Sequence, residues 1–386
     1  MKIPASPVQA GRRRLLQALA AAAAAGATGL GPVLAAPAAA AFDTHRYSAR
    51  ARRIVERSLV IDMLAPLRLD LDESYYAHTL SPQEIAAFRA SRITGMHNAF
   101  GIGGEDAHAQ VLRYMTGWYN FAARHSELFT LVGKAADIDH AREQGKIAVI
   151  MGVQNAEHFR TVEDVKTFHT LGLRCAQLTY NSQNLLGSGS TERVDGGLSD
   201  YGLSIVAAMN EQRLLVDVSH CGDRTTLDAI EASKGPIAIT HSNCRALNDH
   251  PRLKTDEAIR KLAAKGGVMG ITGVRNFVRG SEPTTVDHIV DHIDHVARLV
   301  GIEHVGVGSD ADLYGYDDMP PEQLKALRGG YKSSYAFRDK LDTDGFDHPL
   351  KTYDLAEALI RRGYSDANIA AVLGGNFRRL LGEVWG

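Results

Sequence analysis

Three cysteines in 386 residues cannot build a disulfide framework in a chain of this size. Cys175, Cys221 and Cys244 read as small buried thiols. Two of them, Cys221 and Cys244, follow closely on histidines that matter below, and an approach to one another or to a metal is the other reading. Charge of one sign is also missing. The formal net charge is -2, and Lys and Arg cluster only near the amino terminus, which excludes nucleic acid or an acidic surface as the partner. After the first forty residues no run is long and apolar enough to span a bilayer. There is no internal repeat and no linker marked by a break in composition. No Gly-rich fingerprint follows an early strand, which argues against an open doubly wound sheet.

What is present begins with an address. Arg12-Arg13-Arg14-Leu15-Leu16 is a twin-arginine pattern, followed by the Ala-rich, weakly apolar Ala18 to Leu34 and the small residues Ala35 to Ala41. Residues 1–41 read as a cleaved twin-arginine export signal, which predicts a folded periplasmic protein made of residues 42–386. The Ala and Gly content makes a poor bilayer helix, and no Cys follows to carry a lipid, so stable membrane insertion is not expected.

The mature chain is organised around Leu214 to Cys244. Leu214-Leu215-Val216-Asp217-Val218 stops at Ser219-His220; a helix's worth of residues, Thr225 to Ser233, follows; Pro236-Ile237-Ala238-Ile239-Thr240 then runs into His241. Two parallel strands joined by one helix put these imidazoles side by side on the carboxyl edge of a sheet. Neutral imidazoles at adjacent strand ends suit a divalent metal. Six further strand candidates alternate with amphipathic stretches: Ser58–Asp62, Ile93–Phe100, Ile147–Val153, Arg174–Tyr180, Gly267–Gly273 and His304–Ser309. Eight apolar parallel strands covered by helices predict an α/β fold, a single (β/α)8 barrel, with its chemistry at the carboxyl ends. Asp312 to Pro349, rich in Tyr, Gly and Pro, is a long loop after the eighth strand and reads as a lid or substrate wall.

The strand ends supply Asp62, His97, Gln154, Tyr180, His220, His241 and Asp310. Metal-activated water needs a nearby base, and Asp310 is placed to take its proton; Asp312, further into the loop, is the weaker candidate. These motifs resemble a known family. Asp217-Val218-Ser219-His220, Thr240-His241-Ser242-Asn243, His250-Pro251-Arg252, Gly306-Val307-Gly308-Ser309-Asp310 and Gly374-Gly375-Asn376-Phe377 are similar to those of the membrane (renal) dipeptidase family of zinc peptidases, within the amidohydrolase-type barrels, from about Val60 to Trp385.

The resemblance implies a two-zinc site hydrolysing short dipeptides, in a homodimer, with Arg252 gripping the substrate carboxylate. This chain departs from the pattern at the first metal site. Leu64 and Pro66 stand where a His-x-Asp pair belongs, Gln154 replaces the bridging glutamate, and Tyr180 replaces a histidine that stabilises the tetrahedral intermediate. The expectation is therefore one zinc ion on His220 and His241, with Gln154 or Asp310 and water completing its shell, and Tyr180 and Asn181 lining the substrate side. His97 or Glu157 could rebuild part of what is lost, although a lone histidine at a strand end is more often structural. The alternative is a catalytically altered barrel that binds, or helps mature, an exported peptide-like product.

Overall fold

The computed structural model describes residues 42–69 and 73–386; the expected export signal lies outside them. Nine short strands follow in chain order: β1 (Ile61–Asp62), β2 (Gly95–Asn98), β3 (Phe129–Leu131), β4 (Ile147–Val153), β5 (Cys175–Gln177), β6 (Leu215–Asp217), β7 (Ala238–Ser242), β8 (Val268–Ile271) and β9 (Val305–Val307). All pairings are parallel, and the order β2-β1-β9-β8-β7-β6-β5-β4 is closed by pairing of β2 with β4. The result is the eight-stranded barrel expected, with each strand at the predicted place. Every residue of β4 is buried, as a strand must be when helices cover one face and barrel contents fill the other.

The strand that sequence reading passed over is β3. It pairs only with the amino half of β4, Phe129 opposite Ile147 and Leu131 opposite Val149, while β5 takes the same edge from Gly152 onward. Three residues directly after a helix carry no usable period. Phe129 is held instead by packing, edge-on to Phe88 with ring centres 5.2 Å apart.

Covering helices begin where hydroxyl caps satisfy their first amides. Ser81 and Glu84 form a reciprocal box, and Ser199 and Thr255 accept from Gly202 and Ala258; each such cap is worth roughly 1 kcal/mol. The last helix, Asn376–Trp385, plugs the amino end of the barrel. Phe377, Leu380, Leu381 and Trp385 join a buried cluster with Ile61, Ile150, Leu215 and Val268 from the strands. Among the described residues no helix is long and apolar enough to cross a membrane. The three cysteines are free and buried. The Cys221 sulfur accepts from the Thr179 hydroxyl at 3.3 Å and the Cys244 thiol faces the His292 carbonyl at 3.7 Å, so both thiols are engaged within the core.

The loop after β9 is long but tied down. It contains a helix, Pro321–Gly329, and a single tight turn, Ser333–Tyr335. Its returning limb bridges Val274 to Asp342 and Thr285 to Asp344, and the buried Arg275 reaches Asp344 at 2.5 Å.

Candidate active site

The two histidines meet, and the residues beneath them settle which nitrogen carries the proton. Asp217, the last residue of β6, accepts hydrogen bonds from the Ser219 amide at 3.0 Å and hydroxyl at 2.6 Å, from the Thr240 amide at 3.0 Å and from the Thr240 hydroxyl at 2.6 Å. With its own proton given to Asp217, Thr240 Oγ1 acts as acceptor for His241 Nδ1–H, 2.8 Å away. His220 Nδ1–H donates to Asn181 Oδ1, also at 2.8 Å. Both Nε2 atoms are then left with lone pairs, and they face each other across 2.9 Å. Burial, followed by the Arg252 charge, holds both imidazoles well below their ordinary pKa and therefore neutral. Two lone pairs aimed at one point repel unless a cation lies between them, so the donor chemistry suits a metal ion.

The rest of a shell is thinner. Among the described residues no group of three His, Cys, Asp or Glu side chains converges. Gln154, 8% exposed, turns its amide nitrogen to the Ala99 carbonyl at 2.9 Å, and its Oε1 accepts no hydrogen bond from the described residues, which leaves a neutral oxygen. Leu64 and Pro66 are buried and offer no ligand. Neither His97 nor Glu157 rebuilds the lost site. His97 is wholly buried and donates from Nδ1 to the Met63 carbonyl at 2.7 Å. Its Nε2 presses on Gly152, where an added Cβ would lie 1.8 Å away, so the ring fills the barrel interior. Glu157 accepts from the Gly104 amide at 2.5 Å and belongs to a neighbouring loop.

Two buried cations hold the histidine-bearing strand ends. Arg252 donates from Nη1 to the Ser219 carbonyl and from Nη2 to the His241 carbonyl, the latter at 3.0 Å. Two residues on, past a turn closed by the Leu253 amide on the His250 carbonyl, Lys254 Nζ reaches the carbonyls of Val218 and Cys221 at 2.7 and 2.8 Å and the Thr226 hydroxyl at 3.0 Å. Burial lowers the Lys254 pKa to about 8. Arg252, expected to grip a substrate, is fully buried and is first of all a clamp on the protein's own carbonyls. Its Nε is the donor left without a partner.

Asn181, expected on the substrate side, stands behind His220 with a left-handed backbone, φ 61°. The Thr191 amide and hydroxyl both donate to its carbonyl at 2.9 Å. Tyr180 lies flat on the His220 ring, centres 4.3 Å apart and planes 23° apart. Its hydroxyl is 2.7 Å from that of Tyr331, a residue of the loop after β9. Burial keeps both phenols protonated, well above the ordinary value for Tyr180. One proton joins the pair and the other remains free to donate. Tyr335 packs against Tyr331, 4.5 Å between ring centres, and the Asn181 side chain faces its hydroxyl. The Tyr335 carbonyl accepts from His250 Nε2 at 3.0 Å and Asn276 Nδ2 at 2.8 Å. Beneath this cover His220 is 1% exposed and His241 is not exposed.

Asp310 has a left-handed backbone, φ 58°, fixed by its amide's bond to the Leu64 carbonyl at 2.8 Å. Burial pushes its pKa up to about 7, against the pull of the Arg252 charge and with a push from Asp62. Asp312 instead caps a turn, accepting from the Tyr314 and Gly315 amides at 2.9 Å. Sequence reasoning gave no individual role to Lys254, His250, Asn276, Tyr331 or Tyr335, although His250 stood in a quoted motif and the two tyrosines lie in the loop read as a lid or substrate wall.

The family described as membrane dipeptidase, peptidase family M19, matches residues 48–326. Dipeptidase verJ of Clonostachys rogersoniana is 31% identical over 264 residues, 68% of this chain and 61% of that protein, so the match spans about three fifths of that relative's length. An amidohydrolase from Pseudomonas aeruginosa superposes with a TM-score of 0.75 at 30% identity, covering 87% of this chain and 99% of that one. The probable dipeptidase PvdM of Pseudomonas aeruginosa shares the fold, TM-score 0.71 at 21% identity, over 87% of this chain and 98% of its own.

Proposed function

Because the chain belongs to the membrane dipeptidase family, peptidase family M19, we propose that it hydrolyses small dipeptides or dipeptide-like amides with one metal ion, most simply zinc, held by His220 and His241. The observation that carries this reading is the pair of unprotonated Nε2 atoms 2.9 Å apart. Gln154 Oε1 and water would complete the shell as neutral ligands, and zinc bound there would supply a water acidified toward neutral pH. One ion rather than two is supported by charge. Leu64, Pro66 and Gln154 bring no anion, and burial pushes the Asp62 and Asp310 carboxyls above the ordinary range against the pull of Lys351 and Arg252, which lessens the negative charge they offer.

The protein's own groups divide the remaining work. Asp310 accepts a proton from the attacking water as its oxygen bonds to the scissile carbonyl carbon, and returns it to the departing nitrogen when the C–N bond breaks. The free proton of the Tyr180–Tyr331 pair donates to the carbonyl oxygen as negative charge grows there. Arg252 Nε, without a partner in the closed site, is the donor for the substrate's terminal carboxylate.

His220→Ala and His241→Ala are each expected to lose bound zinc, from about one ion per chain to background by elemental analysis, and to lose hydrolysis across a dipeptide panel. Full activity of metal-free protein would refute the proposal. The absence of a third charged ligand favours a second reading, a peptide-binding barrel without turnover; its signature is no stoichiometric metal together with tight binding of a dipeptide mimic.

A further inference from the structure

We propose that Tyr331 and Tyr335 are positioning residues for His220, so that closure of the loop after β9 and assembly of the histidine pair are one event. The His220 ring is fixed at three places. Nε2 faces His241, Nδ1 is bonded to Asn181, and one face lies under Tyr180. The second and third supports are themselves met by the loop: the Asn181 side chain faces the Tyr335 hydroxyl, and the Tyr180 hydroxyl pairs with that of Tyr331 at 2.7 Å. Between the two tyrosines Lys332 reaches the Thr191 carbonyl at 3.1 Å and Glu192 at 3.5 Å. Thr191 is the residue that ties down the Asn181 backbone, so this contact leads to the same place.

On its other side the loop is anchored by His250, whose Nε2 donates to the Tyr335 carbonyl and whose Nδ1 accepts the Arg252 amide at 3.1 Å. The segment thus joins the support of His220 to the segment that clamps His241. A substrate reaches the covered pair when the loop lifts, and lifting removes the hydroxyl partner of Tyr180 and uncovers Asn181. Coupling of this kind is reciprocal: whatever fixes His220 must also hold the loop down.

The test uses the whole protein and variants that keep each ring while removing its hydroxyl, Tyr331→Phe, Tyr335→Phe and the double variant. Amide exchange over residues 328–337 is expected to quicken by roughly 5-fold or more in the double variant, and by a comparable factor in His220→Ala, which lies outside the loop. Zinc affinity should weaken several-fold and kcat should fall while KM changes little. Wild-type exchange in the double variant, or in His220→Ala, would overturn the proposal. Only the zinc and kinetic measurements rest on the metallopeptidase reading. If wild-type protein binds no zinc, that reading fails and the exchange rates alone decide the role of the tyrosines.

Discussion

Asp310 shows how much of this site's chemistry is set by surroundings rather than by residue type. An ordinary aspartate is a weak base at neutral pH; burial lifts this one to about 7, where it accepts and returns protons with little loss. Two consequences share one sign. Activity should rise with pH through a midpoint near 7, and in Asp310→Asn that limb should vanish along with most of the rate; a pH profile of kcat/KM decides. Because the folded carboxyl has the higher pKa, folding takes up a proton between about pH 4 and pH 7, and the ionised group weakens the fold as pH rises through that window. Asp310→Asn should therefore gain stability over wild type on going from pH 4 to pH 8, read from denaturant midpoints at each pH. Equal displacement at both would show that burial does not perturb the group. His97 makes the complementary point. A strand-end histidine looks like a ligand on paper, yet the lack of a side chain at Gly152 lets its ring fill the barrel.

At the scale of elements, the carboxyl ends of β6 and β7 are held by cations rather than by more sheet. Beyond Asp217 the chain leaves the ladder; Arg252 meets the Ser219 and His241 carbonyls, and Lys254 meets those of Val218 and Cys221 beside longer bonds from the Cys221 amide and the Thr226 hydroxyl. Removing a buried donor while leaving its acceptors behind costs about 1–3 kcal/mol. Lys254→Met, close in length and apolar, should lower stability by about 2 kcal/mol in denaturant titration and loosen zinc binding, although Lys254 reaches neither imidazole. Unchanged stability would mean that the Cys221 amide and the Thr226 hydroxyl satisfy these carbonyls by themselves. The direction of Arg252 and Lys254 was not readable, because the segment that carries them is neither helix nor ladder. Resemblance therefore placed Arg252 on the substrate, where the fold first uses it on its own backbone.

For the molecule as a whole, closure joins the first strand to the last. β1 meets β9 through Asp62 and Val307, and the seam is backed by the turn before the last helix, where Gly374 lies so close to β1 that a Cβ would stand 2.5 Å from the Leu59 carbonyl. Asn376 donates to the Ile302 and Val305 carbonyls at 2.7 Å. We propose twin-arginine export on the evidence of Arg12-Arg13. R12K/R13K should leave the protein in the cytoplasm, folded and with its signal uncleaved; periplasmic recovery of the variant at wild-type levels would exclude the route.

The sequence by itself determined the barrel and the histidine pair. Strand period, helix caps and the placing of a histidine after each of two strands are local properties, and a closed parallel sheet turns them into position without further choice. Only the tertiary structure decided which nitrogens are free, that Arg252 is a clamp, that His97 is core and that two tyrosines from a distant loop brace His220. Those outcomes depend on hydrogen bonds between residues as much as 151 positions apart. Such bonds leave no period in the chain, and they form only once the loop after β9 has folded over the strand ends.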